Sequence, residues 1–117
     1  MNICTIIAKN YLAHARVLSE SFKDHHPNGT CYVLIIDDLE GYVDPAAEPF
    51  ELVTPAQLDI DNYEHMAAIY DVVELSTAVK PWLLAHLLNE RGLERIAYFD
   101  PDIQIYDRLD RLAELTR

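Results

Sequence analysis

The sequence predicts an α/β domain with a mostly parallel sheet. Short apolar runs, rich in β-branched residues, alternate along the chain with segments of helical periodicity. A helix-length segment joins the first two of these runs, as in a βαβ unit with parallel strands and a right-handed connection. The 117 residues are 50% hydrophobic and 25% charged, which is typical of one globular domain.

The N-terminal third forms the predicted βαβ unit. Asn2–Ala8 is short and rich in Ile, which predicts a buried strand, and Asn10 is the predicted cap of the helix that follows. The helix should end in the segment 25–29, which contains Pro and Gly, and Cys31–Ile36 should form the second buried strand. Four apolar residues at helical spacing form the predicted buried stripe of the helix: Tyr11, Ala15, Leu18 and Phe22.

The middle of the chain continues this alternation. Phe50–Val53 is a predicted third strand, and Thr54 and Pro55 are the predicted cap and first residue of a helical turn. Residues 61–91 are predicted to be mostly helical. A break is expected just before Pro81, because proline is tolerated in the first turn of a new helix.

The C-terminal part returns to the sheet. Gly92 is a predicted helix cap, residues 95–99 a buried strand, and Ile103–Tyr106 a second short strand. Asp110 is the predicted cap of a last helix. Nothing after these strands covers the far edge of the sheet, so we expect an incomplete fold that could associate through this open edge.

Charge is distributed unevenly along the chain. The net charge is −11, and residues 24–79 contain twelve acidic residues and no Lys or Arg. We interpret the acidic middle as solvated surface. We do not predict nucleic-acid binding, because contacts to the phosphates need a surface patch of Lys and Arg residues. An anionic ligand would instead need a metal, a helix N-terminus or a few selected cations.

Cysteines, histidines and apolar runs limit other classes of function. Cys4 and Cys31 lie in predicted strands and are expected to be core thiols, with a disulfide or a metal pair as the alternative. The five histidines show no ligand spacing and are interpreted as structural or exposed. No basic leader precedes Ile3, and no apolar run approaches the ~18 residues of a membrane span. We therefore predict a cytoplasmic chain without a transmembrane segment.

Asp100-Pro101-Asp102 is the strongest chemical motif. It follows a predicted strand, and ligands of open α/β sheets bind at the carboxyl ends of strands. In extended backbone, Asp100 and Asp102 would share one face and could bind Mg²⁺ or Mn²⁺ together with diphosphate oxygens. The alternative is a loop pair that caps backbone amides. A dehalogenase-like phosphatase also carries Asp-x-Asp after a strand. In that class the motif usually lies at the start of the fold, and Thr or Val follows two residues later, where this chain has Gln104.

Three further positions belong to the same predicted edge. The turn Ala8–Tyr11 presents backbone amides that favour anions, and Tyr11 could either stack on a base or belong to the core. Asp37 and Asp38 end the second strand and could accept a base N–H or cap a loop. Lys80, directly before a predicted helix start, could meet a diphosphate or an aspartate, or it could be solvated.

Four segments in order resemble the N-terminal half of a GT-A-fold glycosyltransferase, closest to family 8 and its bacterial relatives. They are NICTIIAKNYLAHARVLSESFKDHHP, CYVLIIDD, IYDVVELSTAVKPWLLAHLL and IAYFDPDIQIYDRLD. The resemblance implies a three-layer αβα, Rossmann-like nucleotide-diphospho-sugar transferase fold, of which residues 1–117 are the nucleotide-sugar-binding half. It also implies hexosyl transfer from a UDP-sugar to an unknown acceptor, with Mn²⁺ or Mg²⁺ and with retention of configuration.

The resemblance assigns roles residue by residue. Asp100 and Asp102 become the metal ligands, with Asp102 the more direct one, and an acid after the second strand, Asp37 or Asp38, contacts the base. The implied donor-binding residues are Ala8, Lys9, Asn10, Tyr11, Asp38, Lys80 and Asp100.

The chain also departs from the family pattern. Many relatives carry an acid at the position of Lys9, which leaves base preference open. The family's other half supplies a His ligand in a His-x-x-Gly-x-x-Lys motif, which these 117 residues lack. No catalytic residue is therefore assigned within the chain. A nucleotide-binding module without catalysis is the alternative function.

Overall fold

The computed structural model describes residues 1–37, 44–61, 63–106 and 109, and for Val72 only the helical backbone. The predicted helix after Asp110 lies outside these residues. Among the described residues, no helix combines the length and the apolar character needed to cross a membrane. The helices and strands, in chain order, are β1 (Asn2–Ile7), α1 (Leu12–His25), β2 (Thr30–Ile35), β3 (Glu51–Val53), α2 (Pro55–Leu58), α3 (Tyr63–Ile69), α4 (Val72–Ala85) and β4 (Ala97–Tyr98). Helix α4 continues directly into a π-helical segment, His86–Glu90.

The four strands form one parallel sheet in the order β3-β2-β1-β4. The two central strands pair along six residues, from Asn2 opposite Thr30 to Ile7 opposite Ile35. The edge strands β3 and β4 are only three and two residues long. The predicted α/β class with a parallel sheet is therefore confirmed, and so is the βαβ unit at its centre.

Helices cover both faces of the sheet. Alternate residues of a strand point to opposite faces, so the central strands contribute to two separate cores. On one face Ile3 and Val33 pack with Leu18 and Phe22 of α1. On the other face, Ile6 and Leu34 belong to a cluster that also contains buried residues of α2 and α4: Leu58, Leu75, Val79 and Leu83. The result is the three-layer αβα arrangement that the family resemblance implied.

Helix α1 begins differently from the prediction. Lys9–Tyr11 form a single 3₁₀ turn, closed by the bond from the Tyr11 N–H to the Ala8 carbonyl at 3.0 Å. Because this turn leads directly into Leu12, Asn10 lies within it and does not cap the helix. The predicted end is correct, since α1 stops at His25, before Pro27.

The break in the long helical region lies at Tyr70-Asp71 and not before Pro81. The Asp71 carboxylate accepts the Glu74 N–H at 2.8 Å, and the Glu74 carboxylate accepts the Asp71 N–H at 3.2 Å. This capping box is a strong start signal. The predicted break was wrong because the buried stripe of α4, at Leu75, Val79 and Leu83, continues past Pro81 and holds the proline inside the helix.

The segment after Asp102 also differs from the prediction. Residues 103–106 form no strand, and Ile105 is instead buried in the core beneath α1. Its N–H donates to the Ser21 hydroxyl at 2.8 Å, which replaces the partner that a neighbouring strand would supply. The predicted cap at Gly92 is correct, because this residue has a φ of 68° and the next N–H, of Leu93, returns to the Leu87 carbonyl.

Candidate functional site

A cavity of about 200 Å³ lies at the C-terminal ends of β1 and β4. Four of the predicted site residues line it: Ala8, Tyr11, Lys80 and Asp100. They come from three segments that are distant in sequence, and α4 contributes Val73, Ser76 and Thr77 to the wall. The parallel topology thus brings these residues to the sheet edge at which α/β proteins bind ligands.

Lys80 contributes the cation of this cavity. Its Nζ lies 4.2 Å from the centre of the Tyr98 ring, within the range of a cation–π contact. Lys80 does not precede a helix N-terminus, as the sequence predicted, because α4 begins eight residues earlier at Val72. The helix terminus therefore adds no positive potential at this point, and the ammonium group itself carries the charge.

Tyr98 is a lining residue that sequence reasoning missed. Burial, and then the neighbouring Asp100 carboxylate, raise the pKa of its hydroxyl above the usual range, so the phenol stays neutral at physiological pH. The signal was present in the sequence. Tyr98 and Asp100 are two residues apart in the strand and its extension, and alternate residues face the same side.

The turn after β1 is bound to the end of β2. The backbone N–H of Lys9 donates to Oδ1 of Asp37 at 2.8 Å. Lys9 and Asn10 are exposed and are not among the residues that line the cavity. Asp37 thus makes the loop-capping contact that the sequence left as an alternative to a base contact. Asp38 lies outside the described residues.

Tyr11 is exposed at the mouth of the cavity. The residue keeps 43% of its accessible surface, so Tyr11 departs from the predicted buried stripe, whose other three members are fully buried. Its ring meets the His14 ring edge to face, with centres 4.9 Å apart. A flat ligand can reach the ring.

Asp100 and Asp102 line different cavities. Pro101 and Asp102 form a turn, so the common face expected of extended backbone is not observed. Asp102 instead lines a second cavity of about 230 Å³, together with His14 and Gln104, while Pro101 borders both cavities. Both carboxylates are exposed at this edge.

The side chains of Asp100 and Asp102 are suitable ligands for a hard divalent cation, because Mg²⁺ and Mn²⁺ prefer carboxylate oxygens. Within the part of the chain that the structure describes, no group of three or more His, Cys, Asp or Glu residues could hold a metal ion. Asp100 and Asp102 could thus supply only part of a coordination shell, and a ligand such as a diphosphate would have to add oxygens.

Comparison with solved structures identifies the fold. No protein-family profile and no curated protein sequence matches the chain. An active-site mutant of LgtC matches with a TM-score of 0.64 and 17% identity, over 96% of this chain and 41% of that one. The galactosyltransferase LgtC, in complex with donor and acceptor sugar analogs, matches with a TM-score of 0.58 and 18% identity, over the same shares.

These matches assign the chain a GT-A-like glycosyltransferase fold, as the sequence resemblance implied. At 17–18% identity they concern the fold alone. The chain spans about two-fifths of the length of the structures it matches. Placement in family 8 stays a prediction.

Proposed function

We propose that this chain is the donor-binding half of a glycosyltransferase, which transfers a hexose from a nucleotide-diphosphate donor to an acceptor. One observation carries the proposal: in a GT-A-like fold, the cavity at the carboxyl edge of the sheet is lined by Ala8, Tyr11, Lys80 and Asp100 together. UDP as the nucleotide, retention of configuration and action in the cytoplasm rest on the sequence alone.

Two side chains of the cavity, Tyr11 and Lys80, are chemically suited to bind parts of a nucleotide. The exposed ring of Tyr11 offers a face on which a base can stack. The Lys80 ammonium, held over the Tyr98 ring, can pair with a diphosphate oxygen.

Replacing Lys80 by Met should weaken UDP binding by ~10- to 100-fold, because a hydrogen bond to a charged group contributes about 1.5–3 kcal/mol.

Asp100 and Asp102 would hold the divalent metal. When bound, Mn²⁺ or Mg²⁺ supplies a Lewis acid that offsets negative charge on the departing diphosphate. The two carboxylates lie on either side of Pro101, whose ring restricts the backbone between them. In this structure the two aspartates line different cavities because Pro101 and Asp102 form a turn, so binding one metal through both carboxylates would require this turn to change.

Calorimetric titration of UDP, with and without MnCl₂, tests the proposal. We expect Mn²⁺ to raise the affinity for UDP, and the Asp102→Asn variant to lose that gain. Asp24→Asn, an exposed aspartate in the last turn of α1, is the matched control and should behave like the unaltered chain. Equal affinity for UDP with and without metal would sink the metal-bridged mechanism.

A nucleotide-binding module without transfer activity is the second candidate. The observation in its favour is the small donor set, since the described residues supply no metal-binding group of three. An assay for hydrolysis of UDP-sugar distinguishes the two, because an enzyme should release free sugar slowly to water. The dehalogenase-like phosphatase is disfavoured, because the chain has a GT-A-like fold and its Asp-x-Asp follows the edge strand β4.

A further inference from the structure

Asp37 occupies a special place at the end of the β1–β2 ladder. The last backbone bond between the two strands runs from the Ile36 N–H to the Ile7 carbonyl, at 3.0 Å. One residue further on, the Asp37 carboxylate accepts the Lys9 N–H at 2.8 Å. The side chain of Asp37 thus extends the pairing of the strands into the turn that follows β1.

This contact satisfies an amide that the turn itself cannot satisfy. The first N–H groups of a helical turn have no partner within it. Lys9 begins the 3₁₀ turn that leads into α1, and its amide would otherwise face solvent or a ligand. A charged acceptor makes the stronger kind of hydrogen bond, so this one fixes the orientation of the turn against β2.

The end of β2 is itself anchored from the other side. The Tyr63 hydroxyl, at the start of α3, donates to the Ile36 carbonyl at 2.6 Å. Burial, and then the nearby Asp37 carboxylate, raise the pKa of Tyr63, so the hydroxyl keeps the proton that it donates. Asp37 is therefore attached to a fixed support, and its carboxylate can transmit that position to the turn.

We infer that Asp37 is a positioning residue, which shapes the Lys9–Tyr11 turn for the nucleotide without selecting the base. The inference rests on the proposed nucleotide site and adds a role to a residue outside its lining. A base contact by Asp37 would make its replacement change the preference between UDP and CDP. A positioning role makes its replacement lower the affinity for both nucleotides by the same factor.

Two substitutions at Asp37 separate these roles. In Asp37→Asn the amide oxygen can still accept the Lys9 N–H, so the variant should bind UDP within about threefold of the unaltered chain. In Asp37→Ala no side-chain acceptor remains for the Lys9 N–H, so the conformation of the Lys9–Tyr11 turn that binds nucleotide becomes a minor state. The apparent affinity for nucleotide then falls in proportion to the population of that conformation. We expect a loss of about tenfold for UDP and for CDP alike.

Amide hydrogen exchange, followed by NMR without ligand, measures how well the Lys9 N–H is protected by its hydrogen bond to Asp37. The Lys9 amide should exchange at least about tenfold faster in Asp37→Ala than in the unaltered chain, with Asp37→Asn between them. Asp44→Ala is the matched control, because the Asp44 carboxylate also accepts a backbone N–H, that of Ala46 at 3.1 Å, in a different loop. This control should change neither Lys9 exchange nor nucleotide affinity.

The outcomes distinguish failure of the inference from failure of the proposed function. Unchanged Lys9 exchange, unchanged UDP affinity, or a loss for UDP without one for CDP in Asp37→Ala overturns the inference alone. Absence of both UDP and CDP binding by the unaltered chain counts against the proposed function, and with it the role of Asp37 toward a nucleotide. Equal losses for both nucleotides, together with faster Lys9 exchange, support the positioning role.

Discussion

Replacing Pro81 with alanine should stabilise the protein. Pro81 lies inside α4, as the tenth residue of the helix, and has no N–H to donate to the Thr77 carbonyl one turn earlier. Alanine supplies this N–H and removes the ring that crowds the same carbonyl. Substitution by Ala is favourable here only if the helix runs through the position, so the variant tests the location of the helix break.

The size of the effect follows from helix propensity. Proline in a helix interior is less favourable than alanine by ~3 kcal/mol. The native helix has already adjusted around Pro81, so we expect part of this difference, about 1–3 kcal/mol of added free energy of unfolding. For a domain of 117 residues, each kcal/mol raises the melting temperature by roughly 4 °C, which gives about 4–12 °C.

Thermal and urea denaturation, followed by circular dichroism, measure this change. Pro55→Ala is the matched control, because Pro55 is the first residue of α2, directly after its cap Thr54, where proline costs nothing. We expect this control to be neutral or slightly destabilising. If Pro81→Ala is neutral or destabilising as well, then Pro81 begins a helix and the continuous α4 is refuted.

Two further predictions concern the core. Burial raises the pKa of Cys4 to about 12 and that of Cys31 to about 11, from 9.0. The unfolded chain then loses these protons first, so the free energy of unfolding should fall as the pH rises from about 9 to 12, and less steeply in Cys31→Ala. Gly29→Ala should lower the free energy of unfolding in urea by about 1–3 kcal/mol, because the added Cβ would clash with the Met1 backbone carbonyl and lie 2.7 Å from Cζ of Phe22. In Gly92→Ala the added Cβ meets no atom within 4 Å, so only the positive φ of 68° opposes the substitution.

The fold was largely predictable because local and tertiary signals agree in most of the chain. The Ile-rich runs at β1 and β2, the capped turn at Thr54 and the glycine at position 92 each indicate one structure. Pro81 was misjudged because the local preference of proline competes with burial of Leu83, and the core contact of the leucine prevails. Tertiary packing is not visible in a local pattern.

The candidate site was predictable in outline but not in its contacts. The alternation of strands and helices predicts parallel strands, and Ala8 and Asp100 each follow one, which suffices to place them at one edge of the sheet. The bond between Lys9 and Asp37 joins residues 28 positions apart, and Asp102 is turned away from Asp100 by a backbone turn. Both depend on loop conformations for which the sequence carries no periodic signal.

The wall of the 200 Å³ cavity is formed by residues of α4 and by residues at and just after the C-terminal ends of β1 and β4. Such a wall exists only while all three are docked, so a molecule that binds there binds the folded chain and not the unfolded one. Occupancy and folding are then thermodynamically linked. A ligand present at 100 times its dissociation constant would add about 2.7 kcal/mol to the free energy of unfolding. The melting temperature of the unlabelled protein can therefore rank candidate nucleotides and metals before any transfer reaction has been found.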